Sequence, residues 1–223
     1  MFLKIKEIIK NLINQLYPEK CILCGQNSEE YNLCKTCLKS IKFSTDFHKR
    51  IINSVQIYSP FFYQNNIQKL ILNYKFKHKK SLYKLFSNLL FNYYNSCELK
   101  EILNPQNTII VGIPSYKDRK NKRGYDHINL IVEEFSKLSN ISYSHKIIEK
   151  IKYTKPQHNL TYKERYENIK NSFKINSENI NKSNILIIDD IVTSGATANE
   201  IINMFKSFEN LNIYFLSLSV VEK

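Results

Sequence analysis

Residues 185–197 read ILIIDDIVTSGAT. Four large apolar residues lead into two adjacent carboxylates, Asp189 and Asp190, and a loop of small hydroxylic residues with one glycine follows. An apolar run of this kind predicts a strand buried on both faces and ending at the acids. A helical pattern from about Ala196 to Phe208 and a last strand, IYFLSLSVV, complete a strand–helix–strand unit. Such a unit implies parallel pairing.

Working back along the chain, TIIVGIP at Thr108 to Pro114 reads as another strand of the same sheet. It leads through a very basic loop, SYKDRKNKRGYDH, into a helix carrying Leu130, Ile131, Val132 and Phe135. Helical spacing also marks Ile67 to Tyr74 and Leu82 to about Tyr94, and Ile51 to Tyr63 reads as extended. A polar segment, TKPQHNLTYKERYENIKNS, precedes the final unit. The class expected is α/β, a parallel sheet flanked by helices. Ligands of open parallel sheets bind beyond the carboxyl ends of the strands. The acid pair and the basic loop both lie at such ends, so they are expected to share one cleft.

Near the N-terminus, CILCGQNSEEYNLCKTC spans Cys21 to Cys37. Two C-x2-C pairs, each on a tight turn, supply four thiolates to one ion, as in a structural zinc site. Cys21, Cys24, Cys34 and Cys37 leave no coordination position for water, so the metal is assigned no catalytic role. Cys97 stands alone and reads as an inert packing or surface residue. The expected division is 1–45 for an amphipathic helix and zinc finger, and 46–223 for the sheet domain.

The chain has 223 residues, and 33 Lys+Arg against 20 Asp+Glu give a net charge of +13. That balance favours polyanionic partners, although a composition rich in Asn, Ile and Lys also follows from A/T-biased coding. No apolar stretch is long enough to span a bilayer. The first twenty residues are amphipathic, with Leu3, Ile8, Ile9, Leu12, Ile13 and Leu16 at helical spacing. They lack the features of a signal peptide, so a cytoplasmic location is expected. A helix lying on a membrane surface would show the same pattern, so peripheral association stays open beside packing onto the protein.

The chemistry of the acid pair follows from its loop. Carboxylates bind Mg2+ or accept hydrogen bonds from a vicinal diol. Thr193, Ser194 and Thr197 offer hydroxyls, Gly195 admits close backbone approach, and Ala196 opens a helix whose N-terminus favours phosphate. Acids for a diol beside donors for a phosphate describe a ribose 5-phosphate.

ILIIDDIVTSGAT resembles the phosphoribosyl pyrophosphate motif of type I phosphoribosyltransferases. The four-cysteine knuckle after Leu-Tyr-Pro, NYKFK at Asn73 to Lys77, VGIPSYKDRKNKRGYDHINLI and QHNLTYKERYENIKNSF together resemble the ComF competence-protein family, from about Tyr17 to Val221. Within them Arg123-Gly124-Tyr125 matches an Arg-Gly-aromatic element, and Gln157, Arg165, Asn168 and Phe173 match a Gln…Arg…Asn…Phe run. Ser194 replaces the commoner Thr, and Asp126 the more usual Asn. The resemblance implies a type I phosphoribosyltransferase-like domain with a small zinc-ribbon-like knuckle. It implies Asp189 and Asp190 on the ribose hydroxyls and Thr193, Ser194, Gly195, Ala196 and Thr197 on the 5-phosphate. Ser115, Tyr116 and Lys117 would form the pyrophosphate loop, and Mg2+ would bridge pyrophosphate and ribose. Arg165 would sit in a mobile loop closing on the site.

The implied role is uptake of single-stranded DNA in natural transformation, with a competence helicase and recombination proteins as partners. Lys117, Arg119, Lys120, Lys122 and Arg123, interleaved with Tyr116 and Tyr125, suit a single strand, and Lys75 and Lys77 add charge. The alternative is an ordinary phosphoribosyltransferase of nucleotide metabolism acting on an unidentified acceptor.

Overall fold

The computed structural model of the chain describes residues 19–43, 50–116, 124–155 and 160–222. The amphipathic segment from Leu3 to Leu16 and the basic residues Lys117 to Arg123 lie outside the described residues.

The centre is a sheet in the order β1 (Arg50–Ile52), β2 (Val55–Tyr58), β9 (Asn212–Val220), β8 (Asn184–Val192), β4 (Thr108–Gly112) and β5 (Ser142–Tyr143). Strands β4, β8 and β9 form its middle. β8 runs parallel to both neighbours, from Thr108↔Asn184 to Gly112↔Ile188 on one side and along β9 on the other. All five residues of β4 are buried, as a strand covered on both faces requires. Helix α5 (His127–Ser139) carries β4 across to the short β5 (Ser142–Tyr143), and α7 (Ala196–Lys206) carries β8 to β9.

The far edge is built from the segment read as extended. It breaks into β1 (Arg50–Ile52), β2 (Val55–Tyr58) and β3 (Phe61–Phe62). Asn53 and Ser54 both take positive φ, 49° and 61°, and turn β1 back on β2 as a two-residue hairpin. β2 and β3 then run parallel to β9.

Alternate side chains of β8 feed two cores. Leu186 and Ile188 join the cluster beneath α2 (Asn65–Phe76), α3 (Leu82–Ser96) and α5. Ile185 and Ile187 join the cluster beneath α7. Such alternation is what the pleat dictates. The first cluster also takes in Cys21, Leu33 and Cys34, so the cysteine knuckle and the helices of the sheet domain share one apolar interior.

Two expectations are corrected. The strand does not end at the acids: Asp189 pairs with Ser217, Ile191 with Ser219 and Val192 with Val220. β9 continues there and holds β8 extended, whereas β4 stops at Gly112 opposite Ile188. The last four residues of β8 therefore pair on the β9 side and not with β4. The segment around Arg165 is not a loop but helix α6 (Tyr162–Ile169), started by a reciprocal cap between Thr161 and Glu164. β6 (Ile148–Lys150) and β7 (Phe173–Ile175) pair antiparallel beside it.

Candidate functional site: a four-cysteine centre and a charged sheet edge

The knuckle is shaped before any ion is considered. The Gly25 amide donates to the Cys21 carbonyl at 2.9 Å, and Gly25 takes φ +80° to close that turn. Cys34 caps the short helix α1 (Lys35–Ser40), its Sγ accepting from the Cys37 amide at 3.5 Å. The four sulfurs lie within 4.8 Å of one another, and Sγ of Cys24 and Cys34 are 3.6 Å apart. Tetrahedral zinc with Zn–S of about 2.3 Å needs sulfurs about 3.8 Å apart, so the donor set fits. Burial pushes the Cys21 thiol up, but the amides of Cys24, Cys34 and Leu23 outweigh it and bring the thiol down to about 6. The knuckle is fastened to the sheet domain: Lys69 Nζ donates to the Leu23 carbonyl at 2.8 Å and Ser81 Oγ to Asn32 Oδ1 at 2.5 Å. Cys97 is buried in the shared core, which decides between the packing and surface roles its sequence left open.

At the carboxyl edge of the sheet the acids part company. Asp190, with a side chain 5% exposed, is gripped by the Lys75 ammonium and the His127 ring. Lys75, in the last turn of α2, sits 2.9 Å from Oδ1 and 2.7 Å from Oδ2, and His127 Nε2 lies 3.0 Å from Oδ2. The other ring nitrogen of His127 is 3.3 Å from Ser115 Oγ, just past the end of β4. Behind it, Tyr74 Oη donates to the His127 carbonyl at 2.7 Å and Tyr125 Oη to the Tyr74 carbonyl at 2.5 Å. Burial would raise the Asp190 carboxyl, but Lys75 and then His127 hold it well below the usual carboxylate range.

Asp189 is the opposite case. It is half-buried, and its Oδ1 accepts from the Asp190 amide at 2.9 Å. Burial first, and then the negative charge of Asp190, push it up to about 8. The pair therefore keeps its negative charge on Asp190, while Asp189 is pushed toward its neutral form.

The loop after β8 turns at Gly195, with φ +88°, into the N-terminus of α7. Ser194 Oγ accepts from the Ala196 amide at 3.3 Å. Arg50, at the start of β1, donates one guanidinium N–H to the Thr193 carbonyl and another, at 2.6 Å, to the Ser194 carbonyl.

The edge thus brings together Asp189, Asp190, Thr193 to Thr197, Ser115 and Lys75. Tyr116 follows Ser115 and meets the Tyr153 ring edge-on at 5.7 Å. Lys75 belongs to the acid rather than to an exposed basic row, whereas Lys77 is exposed. Arg165 lies on α6, which packs against α7, and its Nε donates to the Leu160 carbonyl at 3.0 Å. Asn168 makes a two-bond clamp on Lys155, and Phe173 is buried on β7. Gln157, Lys117, Arg119, Lys120, Lys122 and Arg123 lie outside the described residues. Sequence reasoning missed His127 and Arg50. The helix start after Asp126 was the available signal for His127, since the Asp126 side chain accepts from the Asn129 amide; Arg50 sits in no motif.

The fold and site define an α/β protein with an attached cysteine ribbon, and a family model described as a double zinc ribbon domain matches residues 12–48. With that match, the four convergent cysteines make a structural zinc centre. The chain is similar over 88% of its length to Competence protein F of Haemophilus influenzae, at 25% identity and covering 83% of that protein. It is also 26% identical to the DNA utilization protein YhgH of Escherichia coli K12, over 81% of this chain and 75% of the relative. These relatives bear out the resemblance to the ComF competence proteins read from the motifs.

Proposed function

We propose that the protein takes part in the uptake and use of incoming DNA, binding single-stranded DNA and, at the sheet edge, phosphoribosyl pyrophosphate. The names of its relatives support the DNA role. The observation that carries the phosphosugar reading is the last stretch of β8. It projects past β4, places two carboxyl groups there, and passes through Gly195 into a helix N-terminus.

In this reading Asp189 and Asp190 accept from the ribose hydroxyls and residues 193–197 donate to the 5-phosphate. Ser115, Tyr116 and Lys117 face the pyrophosphate. Lys75 has to withdraw from one oxygen of Asp190 before a hydroxyl can reach it. Mg2+ suits the hard oxygens of Asp189 and a pyrophosphate, and would neutralise their charge. Arg165 closes over the site only if α6 moves. Lys77, the basic loop from Lys117 to Arg123 and Tyr116 supply charge and stacking for the single strand, whereas the Tyr125 ring is buried against Tyr74 and is not available to a base.

Calorimetry of phosphoribosyl pyrophosphate with Mg2+ against wild type and Asp189→Ala tests the sugar site. Binding that is equal in both proteins would sink it. Filter binding of a single-stranded oligonucleotide over a salt series tests the DNA role. The expected result is affinity that falls linearly in log–log form as salt rises; absence of binding at low salt would rule the role out.

A further inference from the structure

The loop that the proposed function gives to the 5-phosphate is held from behind by a residue far from it in sequence. Arg50 reaches the Thr193 and Ser194 carbonyls across 143 and 144 residues. A trans peptide plane sets its C=O and its N–H in opposite directions. With both carbonyls turned to the guanidinium, the Ser194 and Gly195 amides point the other way. No acceptor meets either amide among the described residues. They stand beside the first turn of α7, whose free N–H groups favour an anion.

The hairpin also closes the back of the loop. A Cβ at Gly195 would come within 2.7 Å of Ile52 Cδ1 and 3.1 Å of Arg50 Nη2. The Asn53 side chain donates to Asn203 of α7, fixing the hairpin to the same helix. A ligand therefore has only the far side of the loop, where the amides face.

From this we infer that Arg50 is a positioning residue for the phosphate subsite. It aims the Ser194 and Gly195 amides at the phosphate and sets a fixed positive charge behind them, without touching the ligand. The inference rests on the phosphosugar reading and adds to it a residue that no motif marks. Its planar forked donor set suits two successive carbonyls, and a lysine ammonium, a compact point charge, does not reproduce that geometry.

The test uses full-length, zinc-loaded protein and calorimetry with two probes, ribose 5-phosphate and inorganic pyrophosphate. Arg50→Gln is expected to weaken ribose 5-phosphate by about tenfold or more and to leave pyrophosphate unchanged. Arg50→Lys is expected to recover only part of the loss, and it carries the comparison if Arg50→Gln does not fold. Amide hydrogen exchange at Ser194 and Gly195 without ligand should quicken in both variants. Ribose 5-phosphate binding equally well to wild type and Arg50→Gln overturns the inference and leaves the phosphosugar reading standing. Parallel loss of both probes also overturns it, since that marks a general structural defect. Failure of wild type to bind ribose 5-phosphate removes the reading and the inference together.

Discussion

Asp190 and Asp189 adjoin in the chain and pull stability in opposite directions as pH changes. Asp190 is held below its unfolded value, so its contribution is present above about pH 4 and is lost as pH falls further. Asp189 is pushed up to about 8, so the folded state keeps a proton that the unfolded state releases between about pH 4 and 8. Stability from that group declines as pH rises through this window. Asp189→Asn, which mimics the protonated acid, should match wild type near pH 4 and melt higher than wild type at pH 8. Melting curves across that range check it, and a constant gap would contradict it. Lys75→Met removes the ammonium from buried Asp190 and leaves it the His127 ring, and should cost about 3 kcal/mol by urea unfolding. The acids were legible in sequence because a buried strand seldom carries two. Their partners were not: Lys75 lies 115 residues away, and no local spacing reports such a pairing.

The elements that were legible are those whose residues answer to one period or one composition. TIIVG, NILIIDDIV and NIYFLSLSV are nearly unbroken apolar runs, and they form the three central strands. β6 and β7 were invisible because three-residue strands with charged outward positions look like any polar loop. The end of β8 was misjudged because the continuation of β9 beside it, not its own sequence, keeps the acids extended. Packing between elements yields a prediction at Gly112, where a Cβ would meet Ile128 Cγ2 at 2.5 Å and Val132 Cγ2 at 3.1 Å. Gly112→Ala must push α5 away from β4 and should cost about 2 kcal/mol in chemical denaturation. Because α5 begins with His127, it should also disturb the grip on Asp190.

For the molecule as a whole, zinc is an ingredient of the main core rather than of an appendage. Cys21, Leu33 and Cys34 share an apolar cluster with Tyr74, Leu82 and Phe86. Structural zinc contributes on the order of 10 kcal/mol in small ribbons, comparable to the whole stability of a domain. Chelation, or Cys34→Ser, should therefore lower melting of the entire chain in one transition. Two separated transitions by circular dichroism would show that knuckle and sheet unfold independently.

The placement of Lys75 carries a thermodynamic consequence. One ammonium covers Asp190 at the acid end of the proposed sugar site, and it stands two residues from exposed Lys77, at the head of the basic segment proposed for DNA. If both ligands bind, whatever a single strand does to the affinity for the phosphosugar, the phosphosugar must do to the affinity for the strand, by the same factor. Titrating each in the presence of the other measures that factor, and Lys75→Met should bring it toward one. An uptake protein wired in this way would hold its strand with a strength set by the cell's supply of activated sugar.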